Sequence, residues 1–355
     1  MYLIRCENKN NKTSLRFNFK LFCSLILIEF LFCTFSLSSK ANDSMSELAA
    51  GGLVLITNDD IVMQKEDLYL SENEIKIRYE MRNESQRIIK ARVAFPLPEI
   101  PHITPSGFTT SKGGYNIAIQ PPTDPNILDF SVVVNGKVIN PDVEMKALLK
   151  GKDIASDLAL IGGQSLVLRS GEFMLDETPI SDQLRAQLMA IGAFEKVDEL
   201  IYKLPWRTYV TYHWVQDFPP GITVIEHRYK PVIGRHLLTL SKNNKINISG
   251  FDHGASRYCI TPKMIQELKK LSAAKVENDP LFASTLGYIL KTGAHWKGSA
   301  IEEFNITIQA SDRTQITSLC TKIPLVKKRQ NEFFATMKNY KPNKDLNIIF
   351  IRKDP

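Results

Sequence analysis

The sequence has few cysteines and lacks the motifs of the best-known enzyme classes. Of its five cysteines, three lie near the N-terminus, and only Cys259 and Cys320 follow. There is no CxxC pair, which excludes a thioredoxin-like redox motif. The patterns GxSxG, HExxH, GxxxxGK[ST] and GxGxxG do not follow any predicted strand, so the sequence predicts no catalytic residue and no cofactor-binding residue.

A long apolar run occurs once, between residues Leu21 and Leu37, and nothing later in the chain approaches membrane length. It follows a basic stretch and precedes Ser39 and Ala41, which are small residues at the −3 and −1 positions of a cleavage site. The sequence therefore predicts a signal peptide over residues 1–41, cleaved between Ala41 and Asn42. An uncleaved anchor is the alternative, but Glu29 inside the run disfavours insertion.

Removing this peptide lowers the net charge. The full chain carries +7 at pH 7, whereas residues 42–355, the mature chain, carry 39 basic and 36 acidic residues and a net charge of +3. The high isoelectric point belongs partly to the signal peptide and gives no support to nucleic-acid binding. The protein is expected in the periplasm or outside the cell.

The two remaining cysteines predict a disulfide between Cys259 and Cys320, because an even number in an oxidising compartment usually forms bridges. Closing a loop of about 60 residues would stabilise the protein by roughly 4 kcal/mol in the chain-entropy model. Two buried thiols, or one reactive cysteine, are the alternatives.

Most of the mature chain has the alternating pattern of half-buried strands. Residues Glu74–Arg82 place apolar side chains on one face and charges on the other, and Ile88–Phe95 follow as a second strand. Asn135-Gly136 predicts a hairpin turn. Trp206–Phe218 and Ile222–Pro231 flank Pro219-Pro220-Gly221 and are interpreted as a hairpin.

Helical spacing interrupts this pattern between residues 141 and 205. Val143–Lys150, Asp153–Leu160 and Asp182–Lys203 are predicted helices, and a further helix begins at Thr261-Pro262 with a capping threonine and a proline in the first turn. We therefore predict an α+β fold of predominantly antiparallel β-sheets with a helical insertion. The predicted domains are 42–235, with the insertion 141–205, and 236–355.

Three ordered motifs carry a resemblance to a known family. They are Ser46–Leu53, Glu66–Ser71 closed by Phe95–Pro98, and Thr211–Trp214 followed by His227–Pro231. With them the mature chain resembles the exported bacterial proteins grouped as domain of unknown function family 4424. The resemblance covers nearly the whole mature chain and implies a β-rich envelope or secreted protein. It implies no activity and no catalytic residue.

Several polar groups could form a site, but their spacing predicts no metal site. Asp59-Asp60 with Glu66-Asp67 could bind Ca²⁺, but the loop spacing of calcium sites is absent. If the predicted hairpin centres on Pro220, His213 lies opposite His227, but no third ligand accompanies them. Asp252, His253 and Ser256 are close in sequence, and core or solvent roles are favoured over a nucleophilic triad.

The aromatic residues of the predicted hairpin are interpreted first as core and second as a ligand platform. These residues are Trp206, Tyr209, Tyr212, Trp214 and Tyr229. We thus expect a non-enzymatic module that binds a protein or a glycan; the alternative is a secreted hydrolase with an unrecognised site.

The apolar side chains of the insertion predict a contact surface for a homodimer, with a lid folded over one sheet as the alternative. They are Leu148, Leu149, Ile154, Leu158, Leu160 and Ile161.

Overall fold

The computed structural model describes residues 44–49, 52–56, 59–97, 99, 126, 128–162, 164–174, 180–240, 246–248, 257–272, 281–291 and 296–353. The predicted signal peptide and its cleavage site, together with Asp252, His253 and Ser256, lie outside these residues. Among the described residues, none of the helices is long and apolar enough to cross a membrane.

Strands dominate the described chain. They are β1 (Ser44–Ala49), β2 (Gly52–Ile56), β3 (Ile61–Ser71), β4 (Ile75–Asn83), β5 (Ile89–Pro96), β6 (Ser131–Val134), β7 (Lys137–Ile139), β8 (Asp142–Leu149), β9 (Lys152–Asp153), β10 (Gly171–Met174), β11 (Glu195–Lys196), β12 (Ile201–Leu204), β13 (Arg207–Phe218), β14 (Gly221–Tyr229), β15 (Ile233–Leu240), β16 (Ile246–Ile248), β17 (Leu281–Tyr288), β18 (Ile301–Gln309), β19 (Ile316–Leu319), β20 (Val326–Arg329), β21 (Glu332–Tyr340) and β22 (Leu346–Arg352). The helices are α1 (Ala155–Gly162), α2 (Asp182–Ala190) and α3 (Pro262–Ser272), with 3-10 turns at Gln164–Leu168 and Lys297–Ser299.

Two large sheets form a sandwich around the main core. One has the strand order β2-β1-β5-β13-β8-β9 and the other β20-β21-β18-β3-β4-β14-β6-β7. Their facing side chains interlock: the Phe95 ring lies 5.3 Å from His227 and the Phe130 ring 4.3 Å from Tyr212, between centroids. The pairs are antiparallel except β3 with β18, which is parallel. The prediction of mostly antiparallel sheet is confirmed.

The chain crosses from one sheet to the other at two neighbouring corners. Strands β4 and β14 pair in the larger sheet, whereas β5 and β13, which adjoin them in sequence, pair in the smaller one. The buried Asn83 side chain joins the corners by donating to the carbonyls of Arg87 and Phe218, both at 2.8 Å. The predicted hairpin at Pro219-Pro220-Gly221 is therefore wrong: the turn is a corner between sheets.

The block between residues 141 and 205 contains fewer helices than the sequence suggested. Val143–Lys150 was predicted as a helix but forms most of β8, because its backbone pairs with the long strand β13. Ala155–Gly162 is helical, whereas the third predicted helix stops at Ala190 and is followed by β11 and β12. The hairpin turn at Asn135-Gly136 is confirmed by the β6–β7 pairing and by positive φ angles of 48° and 78°.

A second, smaller core fills this block. Leu149, Ile154 and Leu158 are buried in it together with Trp206, whose indole nitrogen donates to the carbonyl of Val167 at 2.9 Å. Most of the apolar side chains that were expected at a dimer contact therefore pack inside this core instead. Leu160 remains 86% exposed.

A five-stranded sheet with the order β16-β15-β17-β22-β19 follows, with a third core that includes Leu268 of α3. Helix α3 begins as predicted, with the Thr261 hydroxyl accepting from the Met264 amide at 3.3 Å. Cys259 and Cys320 lie at disulfide distance, with Cα atoms 4.9 Å apart.

The larger sandwich sheet takes β18, β20 and β21 from beyond residue 235. Near-buried Arg352 also pairs with Glu72 at 2.7 Å, linking the last strand to the β3–β4 turn. The domain boundary at residue 235 stays a prediction.

Candidate functional site: a groove across the larger sheet

A groove with a volume of about 760 Å³ crosses the solvent face of the eight-stranded sheet. Its walls come from six adjacent strands: β21, β18, β3, β4, β14 and β6. Since neighbouring strands lie about 4.8 Å apart, the groove extends over roughly 24 Å. The outward side chains that line it are Asp67, Tyr69, Lys76, Arg78, Ser131, Val133, Glu226, Arg228, Asn305, Thr307 and Phe334.

Strand alternation places these side chains on one face. In β4, Ile77 and Tyr79 are buried while Arg78 points outward, and in β14 His227 is buried between Glu226 and Arg228. The same strands thus supply the main core on one side and the groove on the other.

The middle of the groove is a row of polar residues in register, here called the central row. Glu226 lies opposite Arg78, Arg78 opposite Asp67, and Asp67 opposite Asn305. The Asn305 amide donates to Asp67 at 2.8 Å, and an Arg78 guanidinium nitrogen lies 3.8 Å from the same carboxylate. These contacts fix polar groups in defined positions before any ligand arrives.

One side of the groove is a second line of residues, here called the aromatic row. Tyr69, Thr307 and Phe334 stand in register on β3, β18 and β21. The ammonium of Lys76 lies 5.6 Å from the centre of the Tyr69 ring, and that of Lys328 lies 5.0 Å from the Phe334 ring. Both distances are within the range of cation–π attraction.

Beyond the central row, the next outward residues of β3, β18 and β21 carry alternating charges. Lys65 lies 3.7 Å from Glu303, and Lys338 bonds to Glu303 from β21. The hydrogen bond from Lys338 lowers the pKa of Glu303 to about 2. In the same way, the hydrogen bond to Glu80 stabilises the charged form of Arg78 and raises its pKa. Both shifts favour the charged forms of Glu303 and Arg78.

The two histidines considered as a metal pair are not brought together as ligands. His213 is on the outer face of the smaller sheet, beside Arg92 at 3.3 Å, and His227 lies inside the sandwich. Its ring is surrounded by Tyr79, Phe95, Phe130 and Trp214, with centroids 5.1 to 5.6 Å away. Burial lowers the pKa of His227 to about 3, so this imidazole is a neutral core residue.

The aromatic residues of the presumed hairpin are mainly core, as first interpreted. Trp206, Tyr212, Trp214 and Tyr229 are buried. Tyr209 lies on the outer face of the smaller sheet, where its hydroxyl donates to Glu99 at 3.0 Å. These five aromatic residues therefore do not form a common exposed surface for a ligand.

The acidic residues considered for Ca²⁺ are dispersed. Asp60 pairs with Arg87 at 3.3 Å, Glu66 points into the core, and Asp67 belongs to the groove. In the part of the chain that the structure describes, three or more His, Cys, Asp or Glu side chains do not come together as a metal site.

Comparisons with known proteins establish the family. A family model described as a domain of unknown function, DUF4424, matches residues 41–349. The chain belongs to this family. None of the curated proteins matches it. Among solved structures, it is similar to a candidate nutrient-binding protein from Legionella pneumophila, with 14% identity, coverage of 88% of this chain and 70% of that one, and a TM-score of 0.41.

The sequence alone does not reveal the groove. The alternating strand Glu74–Arg82 showed that one face of β4 is polar, but not which strands lie beside it. Asn305 joins that face by pairing with Asp67, more than 200 positions away, and Phe334 follows by pairing with Thr307 of the same strand as Asn305. No local pattern reports the first of these pairings.

Proposed function

We propose that this protein is exported and works as a non-enzymatic binding module whose ligand lies in the groove. The observation that carries the proposal is the combination of aromatic rings and fixed polar side chains along a shallow surface about 24 Å long. Tyr69 and Phe334 offer partly exposed ring surface, while Arg78, Asp67 and Asn305 offer donors and acceptors already held by one another.

This arrangement suits an extended ligand with many hydrogen-bonding groups, either a glycan or a peptide. An aromatic ring contacts apolar ligand surface at low entropic cost because it has few rotatable bonds. Preorganised polar groups lose little entropy on binding. Both factors support affinity on a surface that is open rather than enclosed.

The test is glycan- and peptide-array binding with the folded mature protein, compared with Tyr69→Ala and Asn305→Ala. We expect array signals that both substitutions reduce about tenfold or more, since each removes a central contact. Tyr209→Ala on the smaller sheet is the matched control and should bind like the parent. Signals that survive both groove substitutions would refute the groove as the binding site.

A secreted hydrolase is the second candidate, and one observation favours it. Asp67 and Glu226 flank Arg78 in register, so their backbone positions stand about 10 Å apart. In inverting glycosidases the two carboxyl groups stand about 6.5–9.5 Å apart, a separation that side chains on one face can reach from these backbone positions. Incubation with the array-bound glycans and measurement of new reducing ends tests this candidate; release that Glu226→Gln abolishes would favour the enzyme over the binding module.

Export is proposed from the N-terminal signal pattern, and the disulfide from the approach of Cys259 to Cys320. Intact mass of protein recovered from the periplasm or medium tests both. We expect a chain that begins at Asn42 and gains two hydrogens on reduction. A species that retains Leu21–Leu37, or alkylation of both thiols without reduction, would contradict the respective proposal.

We propose that the protein self-associates through apolar side chains of α1 and α2 that the second core leaves exposed. Leu160 of α1 is 86% exposed and Met189 of α2 is 60% exposed, and the two helices contact each other. Sedimentation should show a dimer that Leu160→Lys with Met189→Lys dissociates, whereas Val215→Lys on the smaller sheet should not. A strictly monomeric parent at tens of micromolar would exclude this contact.

A further inference from the structure

Two aromatic–lysine pairs lie along one side of the groove. Tyr69 has Lys76 over its ring, and Phe334 has Lys328 over its ring. The rings belong to β3 and β21, which are separated by β18. Two strand spacings place the two rings about 10 Å apart, and their lysines come from the strands outside them, β4 and β20. The hydroxyl-bearing Thr307 stands in register between the two rings.

Positive charge is concentrated on this aromatic row. Lys76 lies 2.5 Å from Glu74, and Arg228 contacts the same carboxylate. Lys76 and Arg228 thus share the Glu74 carboxylate, and Lys328 adds a further cation at the Phe334 end of the row. The central row has the opposite balance, since its Arg78 is surrounded by Glu80, Asp67 and Glu226.

We propose that the groove binds an acidic, β-linked glycan that carries a carboxylate on every second sugar. The inference rests on the proposed function and adds the chemical class of the ligand. The apolar face of a sugar ring packs on an aromatic ring, and the adjacent ammonium neutralises the sugar's carboxylate. The spacing of about 10 Å is close to one disaccharide unit of an extended β-linked glycan.

The groove's other polar groups fit the remaining parts of such a ligand. Thr307 lies between the two rings, where the uncharged sugar of each disaccharide would be placed. Asn305 and Ser131 offer further amide and hydroxyl groups along the groove. Hydroxyl and amide side chains both donate and accept, as sugar hydroxyls require.

An acidic peptide fits the spacing less well. Side chains on the same side of an extended peptide repeat about every 6.7 Å, because each residue advances by roughly 3.3 Å. A repeat near 10 Å corresponds to three residues, which places successive side chains on opposite sides. The spacing of the two pairs therefore favours the glycan.

The experiment is calorimetric titration of the mature protein with a hyaluronan hexasaccharide, which is β-linked with a carboxylate on alternate sugars. Chitohexaose is the neutral probe of equal ring number, and poly-glutamate is the acidic peptide. We expect hyaluronan to bind about tenfold or more tightly than either, with an affinity that falls as salt rises.

The matched variants remove two positive charges each. Lys76→Gln with Lys328→Gln should abolish the preference for hyaluronan. Lys90→Gln on β5 with Lys150→Gln in the β8–β9 turn, both exposed and away from the groove, should keep it. Thermal unfolding verifies that both variants remain folded.

The outcomes separate the inference from the proposed function. Equal binding of both glycans, lost in Tyr69→Ala, would overturn the charge argument but leave the groove as a binding site. Tighter poly-glutamate binding would overturn the glycan class. If neither glycan binds, the inference is wrong, and array signals that depend on Tyr69 decide whether the proposed function stands.

Discussion

The two faces of the eight-stranded sheet use the same strands for opposite purposes. On β14, His227 is 2% exposed among aromatic rings, while its neighbours Glu226 and Arg228 line the groove. The inner face is apolar and closely packed, so its side chains stabilise the fold. The outer face holds charges and rings that the fold does not require. This difference suggests that function is located on the outer face.

Adjacent positions on β18 give the largest expected contrast. Ile306→Ala should lower the free energy of unfolding by about 2–5 kcal/mol, because it leaves a cavity in the main core. Thr307→Ala, one residue away on the groove side, should change it by less than about 0.5 kcal/mol. Denaturant unfolding checks both, and similar losses at the two positions would contradict the division between faces.

Lowering the pH should destabilise the protein through the buried imidazole of His227 on the inner face. Burial lowers the folded-state pKa of His227 to about 3, below its ordinary value of 6.5. The unfolded chain therefore binds this proton first as pH falls, and stability is lost progressively below pH 6.5. Between pH 6.5 and about 4.5 this one group should contribute a loss of roughly 2–3 kcal/mol.

The measurement is denaturant unfolding across this pH range for the parent and His227→Phe. The variant should lose less stability on acidification, whatever its stability at neutral pH. His213→Gln is the control: burial also lowers the pKa of His213, but this side chain is partly exposed on the outer face, so its effect should be smaller. Identical pH slopes for parent and His227→Phe would show that this imidazole titrates alike in the folded and unfolded chains, which would contradict its burial in a neutral form.

Substitution of Tyr69 in the groove should affect binding clearly and stability only slightly. Tyr69→Ala removes a partly exposed ring from the outer face, so we expect a loss of no more than about 1 kcal/mol in the free energy of unfolding. Affinity for an array-selected ligand should nevertheless fall about tenfold or more. A large loss of stability with unchanged affinity would assign Tyr69 to the fold rather than to a site.

The sequence predicted individual strands better than their partners. Alternation identified β4, and Asn135-Gly136 identified the β6–β7 turn, because both signals are local. Pro219-Pro220-Gly221 was misread as a hairpin, since a turn between sheets and a turn within one sheet have similar sequences. Asp142–Leu149 was misread as a helix because its strand conformation depends on pairing with β13, a tertiary contact.

The candidate site was beyond sequence reasoning for the same reason. Its residues come from six strands, and β18 and β21 join β3 and β4 only through long-range pairing. The polar face of one strand was visible, but a groove requires neighbouring strands to present matching faces. His213 and His227 are residue types that often bind metals, which is why they were candidates. In the structure His213 is on the smaller sheet and His227 is buried in the main core.

Fluorine NMR of protein labelled with 3-fluorotyrosine tests the central claim most directly, because the three relevant regions each hold a tyrosine. Tyr69 lies in the groove, Tyr209 on the outer face of the smaller sheet, and Tyr212 in the main core. Titration with an array-selected ligand should shift the Tyr69 resonance and leave the other two unchanged. Saturable binding that leaves Tyr69 unshifted, or that shifts Tyr209 instead, would contradict the assignment of the groove as the binding site.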